Sequence, residues 1–169
     1  MTWEDELFDV LDDLEQQAEA LYALAAAQGH VKAADNYGLL LFQRGAREEA
    51  LPYVSAAASR GDPRAQYLLG IAHFNGDLVA RDWVRAYALL TLANSTGLPQ
   101  ARAAIAQMDE YISLEERQEA QSLASTLKAE AEAARARELA AVDLALGTDN
   151  PSVASTPSRP TKPGADYTV

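Results

Sequence analysis

The chain is expected to be all-α: a short right-handed α-solenoid of helix-turn-helix repeats with a long helix capping each end. Three observations predict this. A ten-residue phrase recurs, as GHVKAADNYG from Gly29, GDPRAQYLLG from Gly61 and GLPQARAAIA from Gly97, at spacings of 32 and then 36 residues. Periods of that size mark helical units that stack. Apolar residues around each copy recur at i, i+3, i+4 and i+7, the stripe of one helix face. Finally, of the 49 % apolar residues many are alanine, which favours helices. The runs of Val, Ile and Thr that build strands are missing.

Residues 1–28 read as one acidic helix. No Pro or Gly interrupts residues 2–28, and Trp3, Leu7, Val10, Leu11, Leu14, Ala18 and Leu21 form a stripe. The first 22 residues carry eight acidic side chains and no basic one, which suits a helix N-terminus. Its second half matches the second helix of a repeat whose first helix is absent. Two roles stay open: a cap over the first repeat, which a solenoid needs at its ends, or a helix that docks on a partner.

The repeats follow over 29–60, 61–96 and, in part, 97–112. The quoted phrase is the first helix of each unit. Ala33, Tyr37, Leu41 and Phe42 lie on one stripe, and Ala65, Leu69, His73 and Phe74 repeat it. Gly38 and Gly70 stand inside these helices, where Gly costs about 1 kcal/mol against Ala. The expected return is close approach of a second helix. Asp62 can cap an N-terminus and Pro63 suits the first turn. The second helices carry equivalent residues at Ala18, Ala50 and Ala86, at Leu21, Tyr53 and Leu89, at Tyr22, Val54 and Leu90, and at Ala25, Ala57 and Ala93. They stop at Gly29, Gly61 and Gly97, which take the left-handed conformation at a helix end without a Cβ clash.

Residues 113–146 read as a long helix opened by the capping pair Ser113 and Glu116. Its large apolar residues thin out between Leu127 and Leu139, so its first half should close the solenoid and its second half project. Too few apolar a and d positions are sustained there for a coiled coil. Residues 147–169 are rich in Pro, Ser and Thr and are expected to be a disordered tail.

The second copy resembles the Sel-one-like repeat, a relative of the tetratricopeptide repeat. Ala65, Leu69, Gly70, Gly76, Val79, Asp82, Arg85, Ala86, Ala93 and Gly97 fit that pattern. Leu78 replaces the second loop glycine, and His73 stands where an aromatic is usual. The resemblance covers about residues 15–110 and implies a non-catalytic interaction scaffold. The stretches HVKAADNYGLLLFQRG, RGDPRAQYLLGIAHFNGDLVARDWVRAYALL and GLPQARAAIAQMDEYISLEERQEA also look like the repeat region of alphaproteobacterial envelope proteins. Those carry a C-terminal sporulation-related domain that binds peptidoglycan. Nothing in 147–169 matches such a domain, so the resemblance implies a truncated or rearranged member. Its alternative function is a structural spacer from a peptidoglycan-associated protein lacking its glycan-binding domain.

Chemistry is hard to place on this chain. It has no cysteine and two histidines, His30 and His73, so clustered metal ligands are not expected. There is no nucleophile elbow, P-loop or dinucleotide fingerprint, and neither an enzyme nor a cofactor is expected. His73 reads as a packing residue, and Asp77 and Asp82 as turn or cap residues. Arg60, Arg64, Arg81 and Arg85 cluster in sequence, as a solvated face or as a patch for an acidic partner. The net charge of −11 repels phosphate backbones and anionic lipid, so nucleic acid is not an expected partner. No apolar run reaches the roughly 18 residues of a membrane span, and the start lacks the features of a signal peptide. As written the chain reads cytoplasmic; by resemblance it reads periplasmic.

What remains is surface for a protein or peptide. On the first helix of copy one, the positions between core residues are Lys32, Asp35, Asn36, Leu39 and Gln43. In copy two they are Arg64, Tyr67, Leu68, Ile71 and Asn75. Leu39 and Ile71 are equivalent apolar residues in a register that faces outward. An apolar strip with polar edges suits a docked peptide or helix; the competing reading is that the neighbouring repeat covers it.

Overall fold

A computed structural model describes residues 2–148 of the 169. Among them it contains seven α-helices and no strand. These are α1 (Trp3–Ala27), α2 (Val31–Gln43), α3 (Arg47–Ser59), α4 (Pro63–Asn75), α5 (Trp83–Ser95), α6 (Pro99–Met108) and α7 (Leu114–Thr148). From α1 to α6 each helix packs on the next in sequence, and α6 also meets α4. This is the expected all-α solenoid, with α2, α4 and α6 as first helices and α3 and α5 as second helices. Met1–Arg135 form one compact unit, and the chain from Ala136 belongs to another. The tail expected over 147–169 lies, from 149 onward, outside the described residues; 147 and 148 still belong to α7.

Local chemistry ends and starts the helices where the sequence places the signals. Gly61 has φ +94°. Its amide donates to the Ala58 carbonyl and the Asp62 amide donates to the Ala57 carbonyl, both at 3.0 Å, the paired bonds of a Schellman C-cap. Asp62 then accepts from the Arg64 and Ala65 amides, with Pro63 as the first helical residue. Asp82 caps α5 through the Arg85 amide at 2.9 Å. At α7 the Ser113 hydroxyl accepts from the Glu116 amide and the Glu116 carboxylate accepts from the Ser113 amide, the expected reciprocal cap. An unforeseen one of the same kind, Thr2 with Asp5, starts α1.

The core is largely alanine. Ala50, Ala65, Ala86, Ala88, Ala93, Ala101 and Ala120 are fully buried, so backbones approach closely and each contact depends on small size. The two helix-interior glycines follow this logic with different stringency. A Cβ on Gly38 would lie 2.5 Å from the Tyr53 Cβ, whereas one on Gly70 would first meet the Leu90 Cγ at 3.0 Å. One cluster joins Leu41, Ala50, Val54, Ala57, Ala65, Leu69 and Leu89 across α2 to α5. A second joins Ala86, Leu90, Ala104 and Met108. The third seats Ala120 and Ala124 of α7 on Ala88 and Leu92 of α5. The packing of α7 reaches farther than expected, because Ala131 is also buried, close to Gly61.

Candidate partner-binding surface

The ten expected contact residues lie on α2 and α4, and the structure divides them by what they already touch. Lys32, Gln43, Arg64 and Asn75 are exposed. Asp35 is mostly covered and forms an ion pair with Arg60 at the end of α3. The Asn36 carbonyl oxygen accepts from the Arg64 guanidinium at 3.5 Å, and Arg64 also reaches Asp62 at 3.1 Å. Asp35 therefore ties α2 to the end of α3 within one repeat, and Asn36 ties that repeat to the next.

Leu39, Tyr67, Leu68 and Ile71 are all half-buried. Leu68 leans on the first core cluster. Tyr67 and Ile71 lean on the second, together with Phe74, Trp83, Tyr87 and Ile105. Tyr67, Leu68 and Ile71 thus present one side to the core and one to solvent, between the two readings the sequence leaves open. A consequence for mutagenesis follows: a charge at position 71 would sit against a core cluster and cost stability. Lys32 and Arg64 stand in the first turns of α2 and α4 outside the core clusters; changing Arg64 also removes its bonds to Asn36 and Asp62.

Other residues singled out in the sequence have structural work. The His73 Nδ1 lies 3.1 Å from the Ala80 carbonyl and holds the longer turn of copy two against α4. Asp77 pairs with Arg47 at 3.4 Å, and the Arg81 guanidinium donates to the Asn75 carbonyl at 3.3 Å. In that turn Leu78 takes φ +68°, at the position where the repeat pattern has glycine.

Three features lay outside the sequence reading. Phe74, Trp83 and Tyr111 form an aromatic trio with ring centroids 6.1 to 6.4 Å apart; the Trp83 indole donates to the Phe74 carbonyl at 3.3 Å. The clue was the pair Phe74 and Trp83 bracketing the longer turn, but Tyr111 comes from beyond α6. A cleft of about 660 Å³ lies between α1 and α2, lined by Asp12, Glu15, Gln16, Glu19, Ala20, Ala23, Leu40, Gln43 and Arg44. Arg44 reaches across to Glu19 at 3.0 Å. The third is a polar knot at the end of the repeats. The Tyr87 hydroxyl donates to the Asp109 carboxylate at 3.1 Å, and Arg117 donates to the Asp109 carbonyl at 2.8 Å. Burial, and then the Asp109 carboxylate it donates to, push the Tyr87 phenol above its ordinary pKa.

Among the described residues, no group of three or more His, Cys, Asp or Glu side chains is placed to hold a metal ion. No described helix is long and apolar enough to cross a membrane. No family model matches the chain, and no curated protein matches it. Among solved structures it is similar to c5321, a protective antigen present in uropathogenic Escherichia coli strains and displaying an SLR fold. The TM-score is 0.59 at 22 % identity over 88 % of this chain, which spans 30 % of the length of that protein. The chain has the Sel-one-like repeat fold, an all-helical repeat solenoid.

Proposed function

We propose that the chain is a non-catalytic scaffold that holds a protein or peptide segment on the outward face of α2 and α4. The observation that carries this reading is the repeated strip: Leu39 and Ile71 in equivalent register, flanked by Tyr67 and Leu68 and edged by exposed Lys32, Gln43, Arg64 and Asn75. Half-buried apolar groups between polar edges give a docked segment apolar contact and fix its orientation. The fold supports the reading, because stacked repeats display one face of each unit as a continuous surface.

The test compares the parent with Lys32→Glu/Arg64→Glu in a pull-down from alphaproteobacterial lysate, with cytosolic and envelope fractions kept apart. Both substitutions place an acid in a helix first turn, where it favours the dipole, so the variant should fold. A protein retained by the parent and lost by the variant is the expected result, and its fraction assigns the compartment. No enrichment over the variant overturns the assignment. The spacer reading would then stand, tested by appending a peptidoglycan-binding domain and measuring glycan binding.

A further inference from the structure

α1 carries an apolar seam that nothing in the unit covers. Trp3, Leu7, Val10, Leu14, Leu21 and Leu24 follow one another at steps of four, three, four, seven and three residues. With Gln17 completing the run, they are the a and d positions of three heptads. All six apolar members are exposed, from 49 % at Leu7 to 71 % at Trp3. The equivalents of Leu21 in the other second helices behave differently: Leu89 is buried, and Tyr53 stacks edge-on against Tyr37. Meanwhile α2 lies against the opposite side of α1. The covered residues Ala18, Glu19, Tyr22, Ala23, Ala25 and Ala26 fall at the b, c, e and f positions, none at a or d, and the cleft lining of α1 falls mainly at b, c and f. The seam is therefore left open along the whole helix, and the covered positions of α1 begin at Ala18.

We propose that this seam is the interface of a parallel two-stranded coiled coil with a second copy of the chain. The exposed area fits. Covering six such side chains on each copy removes on the order of 1,000–1,500 Å² from water, the size of an ordinary specific interface. The charges bear on the direction. All eight acids of α1 lie off the a and d positions. Along the seam its g positions are Glu6, Asp13 and Ala20, and its e positions are Glu4, Leu11, Ala18 and Ala25. In a parallel pair, each g residue faces the e residue of the next heptad across the seam. Glu6 then meets Leu11 and Asp13 meets Ala18, so no acid faces an acid. In an antiparallel pair g faces g, and the register that overlaps Trp3 with Leu21 sets the two Asp13 side chains against each other. Gln17 at a d position gives the pair a polar contact that sets register, as a single buried amide does in other coiled coils.

Sedimentation velocity on the full chain at concentrations up to ~100 µM tests this. The expected species is a dimer. Leu7→Asp/Leu14→Asp should be a monomer with unchanged helicity, because both positions lie outside the core. Leu11→Lys, facing Glu6 of the other copy twice per dimer, should tighten association relative to Leu11→Glu by about tenfold. The chain has no cysteine, so Val10→Cys reports direction cleanly: a parallel pair sets the two thiols side by side and oxidation links the dimer. A monomeric parent overturns the proposal. So does a dimer that survives Leu7→Asp/Leu14→Asp, or one whose Val10→Cys form stays unlinked under oxidation.

Discussion

Gly38→Ala should destabilise the protein although alanine is the better helix former. The substitution gains about 1 kcal/mol of helix propensity. Against that stands the approach of α2 and α3: the new Cβ would lie 2.5 Å from the Tyr53 Cβ and 3.3 Å from two backbone atoms of Tyr53 and Val54. Real carbons sit about 3.5–4.0 Å apart, so the helices must separate by roughly 1 Å. No side-chain rotation can relieve a contact with a Cβ and a backbone. The displacement would loosen Ala50, Val54 and Ala57, which are almost wholly buried behind it. Overpacking of this kind costs about 1–3 kcal/mol, and more where the backbone must move. Because the backbone must move, the cost lies at the upper end, about 3 kcal/mol, and a net loss of about 2 kcal/mol is expected, which lowers Tm by roughly 2–4 °C per kcal/mol for a chain of this size.

Gly70→Ala is the internal control, with the same propensity gain. Its Cβ first meets the Leu90 side chain at 3.0 Å and 3.2 Å, and then the Ala86 carbonyl at 3.3 Å. A leucine can give by a few tenths of an ångström, so the change should be within about 1 kcal/mol of neutral. Urea denaturation followed by circular dichroism reads both variants. A Gly38→Ala protein as stable as the parent, or one no less stable than Gly70→Ala, would refute the close-approach argument.

Three further outcomes are expected. Leu78 holds φ +68°, so Leu78→Gly should be more stable than Leu78→Ala by about 1 kcal/mol, since both lose the side chain and only one keeps the strain; equal denaturation midpoints would contradict it. Pro52 lies inside α3, where it cannot donate to the Glu48 carbonyl, so Pro52→Ala should raise stability by about 1–2 kcal/mol after the lost chain restriction is offset; a lower urea midpoint would contradict it. Tyr37 and Tyr87 both have raised pKa values, chiefly from burial. The folded state then holds its phenol protons more tightly than the unfolded one. Stability is fully present below about pH 10 and is lost as pH rises through the folded values. Tyr87→Phe should flatten that alkaline decline in thermal melts; an unchanged slope would rule out Tyr87 as a contributor.

The fold was legible because its signals are local and repeated. Gly61 announces both the end of α3 and the turn into α4, and Asp62 with Pro63 starts the next helix. Ala65 and Ala101 mark the same close contact twice and are fully buried, whereas Ala33 is half-buried. The surface was less legible because a stripe on a helix does not say which neighbour covers it. Tyr67 and Ile71 sit in an outward register, yet the curvature that brings α6 to α4 covers half of each. Asp35 and Arg60 are 25 residues apart, and no periodicity links an acid on one helix to an arginine capping another. The seam of α1 was visible as a stripe, but a cap and a docking helix share that stripe. The structure adds that α2 packs on α1 away from the a and d positions of this stripe.

That position also joins the two proposals in one quantitative expectation. A parallel pair built on α1 leaves the outward faces of α2 and α4 uncovered, so each dimer presents two copies of the strip edged by Lys32 and Arg64. A partner with one binding segment gains nothing from the second strip. A partner with two segments, or one that is itself dimeric, binds the second strip as an intramolecular step. Avidity can then exceed the single-site affinity by about 10²–10⁴-fold without any new contact. Leu7→Asp/Leu14→Asp should therefore leave the affinity for a one-segment peptide unchanged and weaken a tandem two-segment peptide by at least about tenfold. Lys32→Glu/Arg64→Glu should weaken both alike. Calorimetry with the two peptides, derived from whatever protein the pull-down retains, measures each ratio. Equal losses for both peptides in the Leu7→Asp/Leu14→Asp protein would mean that α1 belongs to the binding face itself and that the two proposals describe one surface.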